Sequence, residues 1–174
     1  MTATRQFVGQ LAHEVRGLEP VVDEVLDVAR GWPAALAEPG LRRQLADLWS
    51  AVVEVDPVAG SVVRSLVAHL LADAQPDPAS AHAWDQRSLD LLGPGLRQHR
   101  RRDLRHAAIS CLPSTYLSLA LTAEGVGLLR AARRYADCAC RFEPVLDAGP
   151  YAEAIALQTA RTSRRLALKI GGRP

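Results

Sequence analysis

Apolar residues recur every three or four positions along most of the chain, which is the spacing of amphipathic helices. The first such stripe predicts a helix over residues 4–30, ended by Gly31-Trp32-Pro33. Every later break also falls on proline or glycine, and no stretch alternates apolar and polar residues as a half-buried strand would. The pattern therefore predicts an all-α protein. The further predicted helices cover 41–55, 57–74, 79–92, 96–111, 113–123, 123–142 and 150–170.

Residues 107–123 carry no charged side chain and are the best candidate for the centre of the fold. A helix that is apolar nearly all round has to be enclosed by other elements. Pro113 and several hydroxyl residues interrupt the run, which falls short of the ~20 apolar residues that a membrane-spanning helix needs. We therefore expect a single compact bundle of seven to eight helices around a central apolar helix, with no membrane contact.

Length and composition fit one globular domain over residues 1–174, with the loop 75–80 as the natural point of sub-division. Hydrophobic residues make up 48% and charged residues 23%, close to typical globular values. A chain of 174 residues can bury ~70% of its unfolded surface, so neither a metal nor a disulfide is needed for folding, and we expect no cofactor and no metal site. Three cysteines without a CxxC motif predict reduced thiols, and the N-terminus lacks the apolar core of a signal peptide. We therefore expect a cytoplasmic protein. The net charge of +2 does not by itself indicate a nucleic-acid partner.

His13 is the most suggestive single residue for chemistry. On a helix it lies about 200° from Leu11, away from the apolar stripe. Its neighbours on that face are Gly9, Arg16 and Gly17. The two glycines leave the imidazole accessible to a large partner, and the arginine offers positive charge to a phosphoryl group. This arrangement fits what a phosphate-accepting histidine requires, and the alternative is a surface histidine on an amphipathic helix.

The sequence AHEVRG at residues 12–17 resembles the core motif of histidine phosphotransfer domains, which are helical bundles. The stretch 7–16 also resembles the phosphoacceptor box of sensor histidine kinases. Either resemblance implies that His13 accepts the phosphoryl group. Leu18 departs from both patterns, because it stands where the first has a small residue and the second has a proline. No ATP-binding half with glycine-rich boxes follows.

The most basic run of the chain, LRQHRRRDLRH at residues 96–106, directly precedes the uncharged stretch. If the run is one helix, Arg102 points away from a stripe of four other arginines, while His99 and His106 add charge below neutral pH. Such a stripe fits a phosphate backbone, whereas the lack of interleaved aromatic residues disfavours stacking on single-stranded bases. The alternative is a solvated face paired with acidic residues of the first two helices. The stripe consists of Arg97, Arg100, Arg101 and Arg105, and the arginines that extend it if their helices pack alongside are Arg130, Arg133, Arg134, Arg161, Arg164 and Arg165.

No familiar catalytic or metal-binding motif is present. The histidines never form HxxxH or HxxH with a carboxylate in register, and GxSxG, P-loop and GxGxxG motifs are absent. His106 and Ser110 are four residues apart, which on a helix is more often a polar patch than a catalytic pair. We therefore expect a non-catalytic helical interaction module or a small subunit of a larger assembly, with a protein partner. The alternatives are binding of a nucleic-acid backbone through the arginine stripe and phosphotransfer through His13.

Overall fold

The computed structural model describes residues 23–24, 40–54, 58, 60–98 and 100–171. Every regular element among them is helical, which confirms the predicted all-α class. The predicted helix 4–30 lies outside these residues apart from Asp23 and Glu24, which are helical. No helix in the described part is long and apolar enough to cross a membrane. Its six α-helices are α1 (Leu41–Val53), α2 (Ser61–Asp73), α3 (Pro78–Leu96), α4 (Arg102–Gly125), α5 (Leu129–Phe142) and α6 (Pro150–Gly171), and a short 3-10 helix, Glu143–Val145, follows α5.

Helix α3 runs past its predicted end. The expected stop at residues 93–95 is wrong, because the helix continues to Leu96. Gly95 serves packing rather than termination: it is buried, and a Cβ there would meet Ser61 Oγ of α2 at 2.7 Å. Pro94 lies in the last turns of the helix, where its missing N–H removes a single backbone hydrogen bond.

The two helices predicted on either side of Pro113 are one continuous helix, α4. Pro113 is buried within it. The hydroxyls of Ser114 and Thr115 both donate to the Cys111 carbonyl, at 3.1 and 2.9 Å, so the turn that contains the proline has additional hydrogen bonds. The chain is broken ahead of this helix instead, because residues 97–101 connect α3 to α4.

The other predicted boundaries differ by a few residues. The helix expected from residue 123 begins later, because α4 ends at Gly125 and α5 starts at Leu129. Gly127 lies between them with a φ of 80°, a left-handed conformation that glycine adopts readily. Helices α1, α2 and α6 agree with their predicted ranges to within a few residues at each end.

In the described part of the chain, buried apolar side chains form three clusters, each between a different set of helices. The first joins α1 to α2, the second joins α2, α3 and α4, and the third joins α4, α5 and α6. The third is built almost entirely of alanine, whose small side chain lets helices approach closely. Its buried members are Ala120, Ala123, Ala132, Ala136 and Leu166.

Of the six described helices the most enclosed is α2, in which 10 of 13 residues are buried, against 11 of 24 in α4. The expected central apolar helix over residues 107–123 is therefore not confirmed. That stretch carries no charge, but its buried side includes the hydroxyls of Thr115 and Ser118. An uncharged stretch can still be polar. Each buried hydroxyl of α4 requires a hydrogen-bond partner, which joins α4 to polar groups nearby.

Candidate functional site

The arginine-rich run forms a corner between α3 and α4, called here the arginine corner (Arg97, Arg100, Arg101, Arg102 and Arg105). The predicted stripe on a single helix is wrong, because α3 ends and α4 begins within the run. Arg97 follows the end of α3, and Arg100 and Arg101 lie in the connection. Arg102 and Arg105 belong to the first turn of α4. All five side chains are exposed, so the corner presents them from two helix ends rather than from one helix face.

One acidic residue lies within the arginine corner. Asp103 Oδ2 is 3.0 Å from Arg101 Nη2, and both side chains are nearly half exposed. Partial burial alone would raise the pKa of the Asp103 carboxyl, but the Leu104 backbone N–H and the Arg101 charge outweigh it and lower the pKa. The other four arginines of the corner form no ion pair with any described residue.

Further basic residues lie on α5 and α6, and some of them are paired. Arg133 Nε is 3.0 Å from Asp137 Oδ1, and Arg165 and Lys169 each approach the Glu124 carboxylate to 2.6 Å. Hydrogen bonds from Arg165 and Lys169 lower the pKa of Glu124 to about 2. These contacts tie α6 to the end of α4. The exposed arginines of α5 and α6 that form no ion pair with a described residue are Arg130, Arg134, Arg141, Arg161 and Arg164.

Charge is distributed unevenly along the chain. Residues 1–96 contain 7 basic and 13 acidic residues, whereas residues 97–174 contain 14 and 6, counting Lys and Arg against Asp and Glu. The formal charge is therefore −6 for the first stretch and +8 for the second. Such an asymmetry is typical of a chain that offers one part of its surface to an anionic partner. The arginine corner lies at the start of the basic part.

A buried carboxylate links three helices. Asp85 of α3 is completely buried. Its Oδ2 accepts hydrogen bonds from Ser118 Oγ at 2.8 Å and from Thr122 Oγ1 at 3.1 Å, both on α4. Its Oδ1 lies 3.3 Å from Nδ1 of His69 on α2. The carboxylate thus has partners on both neighbouring helices, as a buried charge requires.

The network continues along α3. His82 Nδ1 lies 3.1 Å from Thr122 Oγ1, and Gln86 Nε2 lies 3.2 Å from His82 Nε2. Because an amide nitrogen can only donate, His82 accepts at Nε2 and donates from Nδ1 to Thr122. Thr122 in turn donates to Asp85. The single hydroxyl hydrogen of Thr122 also has the Ser118 carbonyl within reach, at 3.0 Å, so the network connects to the α4 backbone as well as to the buried carboxylate.

His69 is the imidazole of this network that reaches solvent. Its side chain is 19% exposed, against 0% for Asp85. Burial lowers the pKa of His69, but the Asp85 hydrogen bond and the charges of Asp73 and Asp85 outweigh it, so the pKa is raised. Nδ1 is held by Asp85, while Nε2 makes no hydrogen bond with a described residue.

This network was not predicted from the sequence, although the sequence carries two signals for it. His82, Asp85 and Ser88 recur at a spacing of three residues and all lie on the buried side of α3. Ser118 and Thr122 are four residues apart on α4. Polar residues on a buried side predict hydrogen-bond partners on another helix. Which helix supplies them depends on the packing and cannot be derived from spacing.

The remaining predicted sites are not assembled in the described residues. In the His106–Ser110 pair, Ser110 Oγ donates to the backbone carbonyl of His106 at 3.0 Å, so this hydroxyl is hydrogen-bonded to the backbone. Burial raises the pKa of the Cys111 thiol to about 12, which makes it a poor nucleophile. No group of three metal-ligating side chains occurs in the described part of the chain. The predicted phosphate-accepting site lies outside the described residues and comprises His13, Arg16 and Gly17.

Comparison with known proteins gives no match: no family model, no curated protein and no solved structure is similar to this chain. Two arrangements of its own residues remain as candidates for function. The arginine corner is exposed and unusually rich in charge, whereas the network around Asp85 is buried and opens to solvent at His69.

Proposed function

We propose that the protein is a helical interaction module that binds a nucleic-acid backbone through the arginine corner. The observation that carries this proposal is the presence of five exposed arginines within nine residues, four of which form no ion pair with a described residue. The planar guanidinium binds phosphate oxygens through two parallel hydrogen bonds, and it is weakly hydrated compared with an ammonium group. A partner with regularly spaced phosphates therefore engages several of these side chains at once.

The charge of the whole chain supports the same kind of partner. The acidic stretch 1–96 repels a polyanion and the basic stretch 97–174 attracts it, so long-range electrostatics orient the protein on the backbone. Residues 96–106 include no Phe, Trp or Tyr side chain, which are the usual platforms for stacking on bases. We infer that the contacts are to phosphates, with little preference for sequence.

The test is the binding of a labelled duplex of about 20 base pairs, measured at salt concentrations from about 50 to 200 mM. Wild type is expected to bind with an affinity that falls steeply over this range, because each phosphate contact releases counterions. Reversal of four corner arginines is expected to remove the binding. That variant carries Arg97→Glu, Arg100→Glu, Arg101→Glu and Arg105→Glu.

A matched control variant separates the effect of the arginine corner on duplex binding from the effect of net charge. Arg42 and Arg43 are exposed on α1, in the acidic part of the chain, and form no ion pair with a described residue. Arg42→Glu with Arg43→Glu alters the net charge as much as Arg100→Glu with Arg105→Glu. The first pair is expected to bind as wild type does and the second to bind weakly. Equal loss in both pairs would assign the binding to net charge and overturn a specific role for the corner.

A protein partner is a second candidate, and α6 provides the observation that favours it. Leu157 and Leu168 are 53% and 73% exposed. Their spacing places them on the same outward side of α6 as Arg161 and Arg164, which are also exposed. Exposed leucines favour an apolar contact, and the arginines between them favour an acidic partner. This face is suited to attach the module to a larger assembly.

The second candidate is tested by Leu157→Gln with Leu168→Gln. A partner that co-purifies with tagged wild type from the native host is expected to be absent from this variant, because both changes remove apolar area from the interface. Duplex binding is expected to be unchanged, since the arginine corner is intact. Retention of the partner by the variant excludes this face.

A further inference from the structure

Helix α6 is the least enclosed of the six described helices. Three of its 22 residues are buried, namely Thr159, Thr162 and Leu166. In α2, by contrast, 10 of 13 residues are buried. Leu166 is the one side chain that α6 contributes to the three apolar clusters of the described part. Because burial of apolar surface is the main force that holds a helix on its neighbours, α6 is held weakly.

Two of the three buried side chains of α6 oppose its packing. The hydroxyls of Thr159 and Thr162 make no hydrogen bond with any described residue, although these residues are 1% and 0% exposed. Thr115 of α4 is also buried, but its hydroxyl donates to the Cys111 carbonyl at 2.9 Å. A hydroxyl that loses water on burial and gains no partner costs free energy. Closure of α6 over α4 and α5 therefore costs free energy at Thr159 and Thr162.

Polar contacts near its two ends join α6 to α4. Near its start, a hydrogen bond links Tyr151 to Ser114. Near its end, Arg165 Nη2 and Lys169 Nζ each lie 2.6 Å from the Glu124 carboxylate. These two basic side chains are 44% and 52% exposed, so solvent and salt weaken the ion pairs. The contacts that fix the ends of α6 are thus individually weak.

Net charge further weakens the contact between α6 and α5. Each of the two helices carries four basic residues and one acidic residue, so the helices repel each other. One hydrogen bond opposes this repulsion, because Arg133 Nη1 donates to the Ser163 carbonyl at 3.1 Å. A single connection, residues 146–149, joins α6 to the preceding 3-10 helix. Helix α6 is therefore able to move without carrying another described helix with it.

We propose that α6 is a releasable helix, which leaves α4 and α5 as one unit while the other described helices stay folded. Release returns the Thr159 and Thr162 hydroxyls to water and separates two helices of like charge. It withdraws Leu166 from the third cluster and so uncovers the alanine-lined side of α4 and α5. The device controls access to that surface, whose small side chains admit the close approach of a helix. The inference is independent of the arginine corner and of the outward face of α6.

Hydrogen exchange of the full chain, followed peptide by peptide with mass spectrometry, tests the proposal. Amides of residues 150–171 are expected to exchange at least about tenfold faster than those of α2 and α4, after correction for intrinsic rates. Their exchange is expected to depend little on low concentrations of urea, because release exposes a small part of the surface that global unfolding exposes. If α6 exchanges at the rate of α4 and with the same urea dependence, it opens by global unfolding alone and the proposal is wrong.

Variants of the two buried threonines separate release from ordinary fraying. Thr159→Val with Thr162→Val keeps the branched shape and removes the hydroxyls, so exchange of α6 is expected to slow by about tenfold. Thr115→Val, the matched control, removes a buried hydroxyl that has a partner, and exchange of α6 is expected to be no slower than in wild type. Unchanged or faster exchange of α6 in the double variant would show that the two hydroxyls do not oppose closure, which overturns the proposal.

Glu124→Gln tests the same device from the side of α4. The neutral amide loses both ion pairs, so exchange of α6 is expected to rise by about fivefold, while α2 keeps its wild-type rate. An equal rise in α2 and α6 would mean that Glu124 stabilises the protein as a whole, and it would contradict the release of α6 as a unit.

Discussion

The two parts of the chain use charged side chains in opposite ways. Up to the end of α3, two charged side chains, Arg64 and Asp85, are buried, while others such as Arg42 and Arg43 are exposed. Even the exposed Arg87 lies over the Trp49 and Trp84 rings, at 4.7 and 5.4 Å from their centroids. From α4 onward no described charged residue is buried, and the interior between α4, α5 and α6 is mainly alanine. The buried charges of the first part therefore hold helices together. In the second part the exposed pairs of Glu124 with Arg165 and Lys169 join α6 to α4, and the arginines that form no ion pair with a described residue lie on the surface.

Removal of the buried arginine is expected to have the largest effect. Arg64 donates from Nε to the Val52 carbonyl at 2.8 Å and from Nη2 to the Val53 carbonyl at 2.5 Å, at the C-terminal end of α1. Arg64→Met keeps much of the side-chain volume but leaves these carbonyls without their donor. We expect the free energy of unfolding, measured in urea, to fall by about 3 kcal/mol. A fall of less than about 1 kcal/mol would show that the charge does not hold α1 on α2.

Removal of the buried carboxylate is expected to rank second. Asp85→Ala leaves His69, Ser118 and Thr122 without their common acceptor, so we expect a loss of about 2 kcal/mol or more in the free energy of unfolding. Ser118→Ala removes one donor and leaves the others in place, so its expected cost is about 1 kcal/mol. Denaturation curves for the two variants check the order. A costlier Ser118→Ala would contradict the central position of Asp85 in the network.

The contributions of the two parts to stability are also expected to be lost at opposite ends of the pH scale, that of His69 at high pH and that of Glu124 at low pH. The pKa of His69 is raised, so its contribution to stability is complete below about pH 6.5 and is lost as the pH rises through the folded value. The pKa of Glu124 is about 2 in place of 4.5, so its contribution is present above about pH 4.5 and is lost as the pH falls toward 2. Arg165 and Lys169 are about half exposed, so the Glu124 effect is expected to be about 1 kcal/mol.

Unfolding free energies measured across pH for two variants check this expectation. His69→Gln is expected to flatten the alkaline side of the profile and leave the acid side as in wild type. Glu124→Gln is expected to flatten the acid side alone, because the neutral amide cannot ionise. A change on the other side of the profile in either variant contradicts the assignment.

The arginine corner is expected to contribute least to stability. Arg100 and Arg105 are exposed and form no ion pair with a described residue. We expect Arg100→Glu with Arg105→Glu to change the free energy of unfolding by no more than about 0.5 kcal/mol. Thermal unfolding of the double variant checks this. A loss above about 1 kcal/mol would mean that these side chains hold the corner together and are not reserved for a partner.

How much of the structure the sequence predicts depends on how far apart the interacting residues are. Helical periodicity is local, and it gives the fold class and the extents of α1, α2 and α6. The roles of Gly95 and Pro113 are misjudged, because close approach to α2 and burial within α4 are set by neighbouring helices. The arginine corner is visible in the sequence as a cluster, but its break between two helices is not. The Asp85 network joins helices distant in sequence and follows only from the packing.

The most direct measurement is the slope of the logarithm of duplex affinity against the logarithm of salt concentration. For Arg100→Glu with Arg105→Glu the account predicts a slope smaller than that of wild type by about 1.8, or about 0.9 for each phosphate that is no longer neutralised. For Arg42→Glu with Arg43→Glu it predicts the wild-type slope. The same slope for all three proteins would contradict the claim that the charges of the basic part serve a nucleic-acid partner.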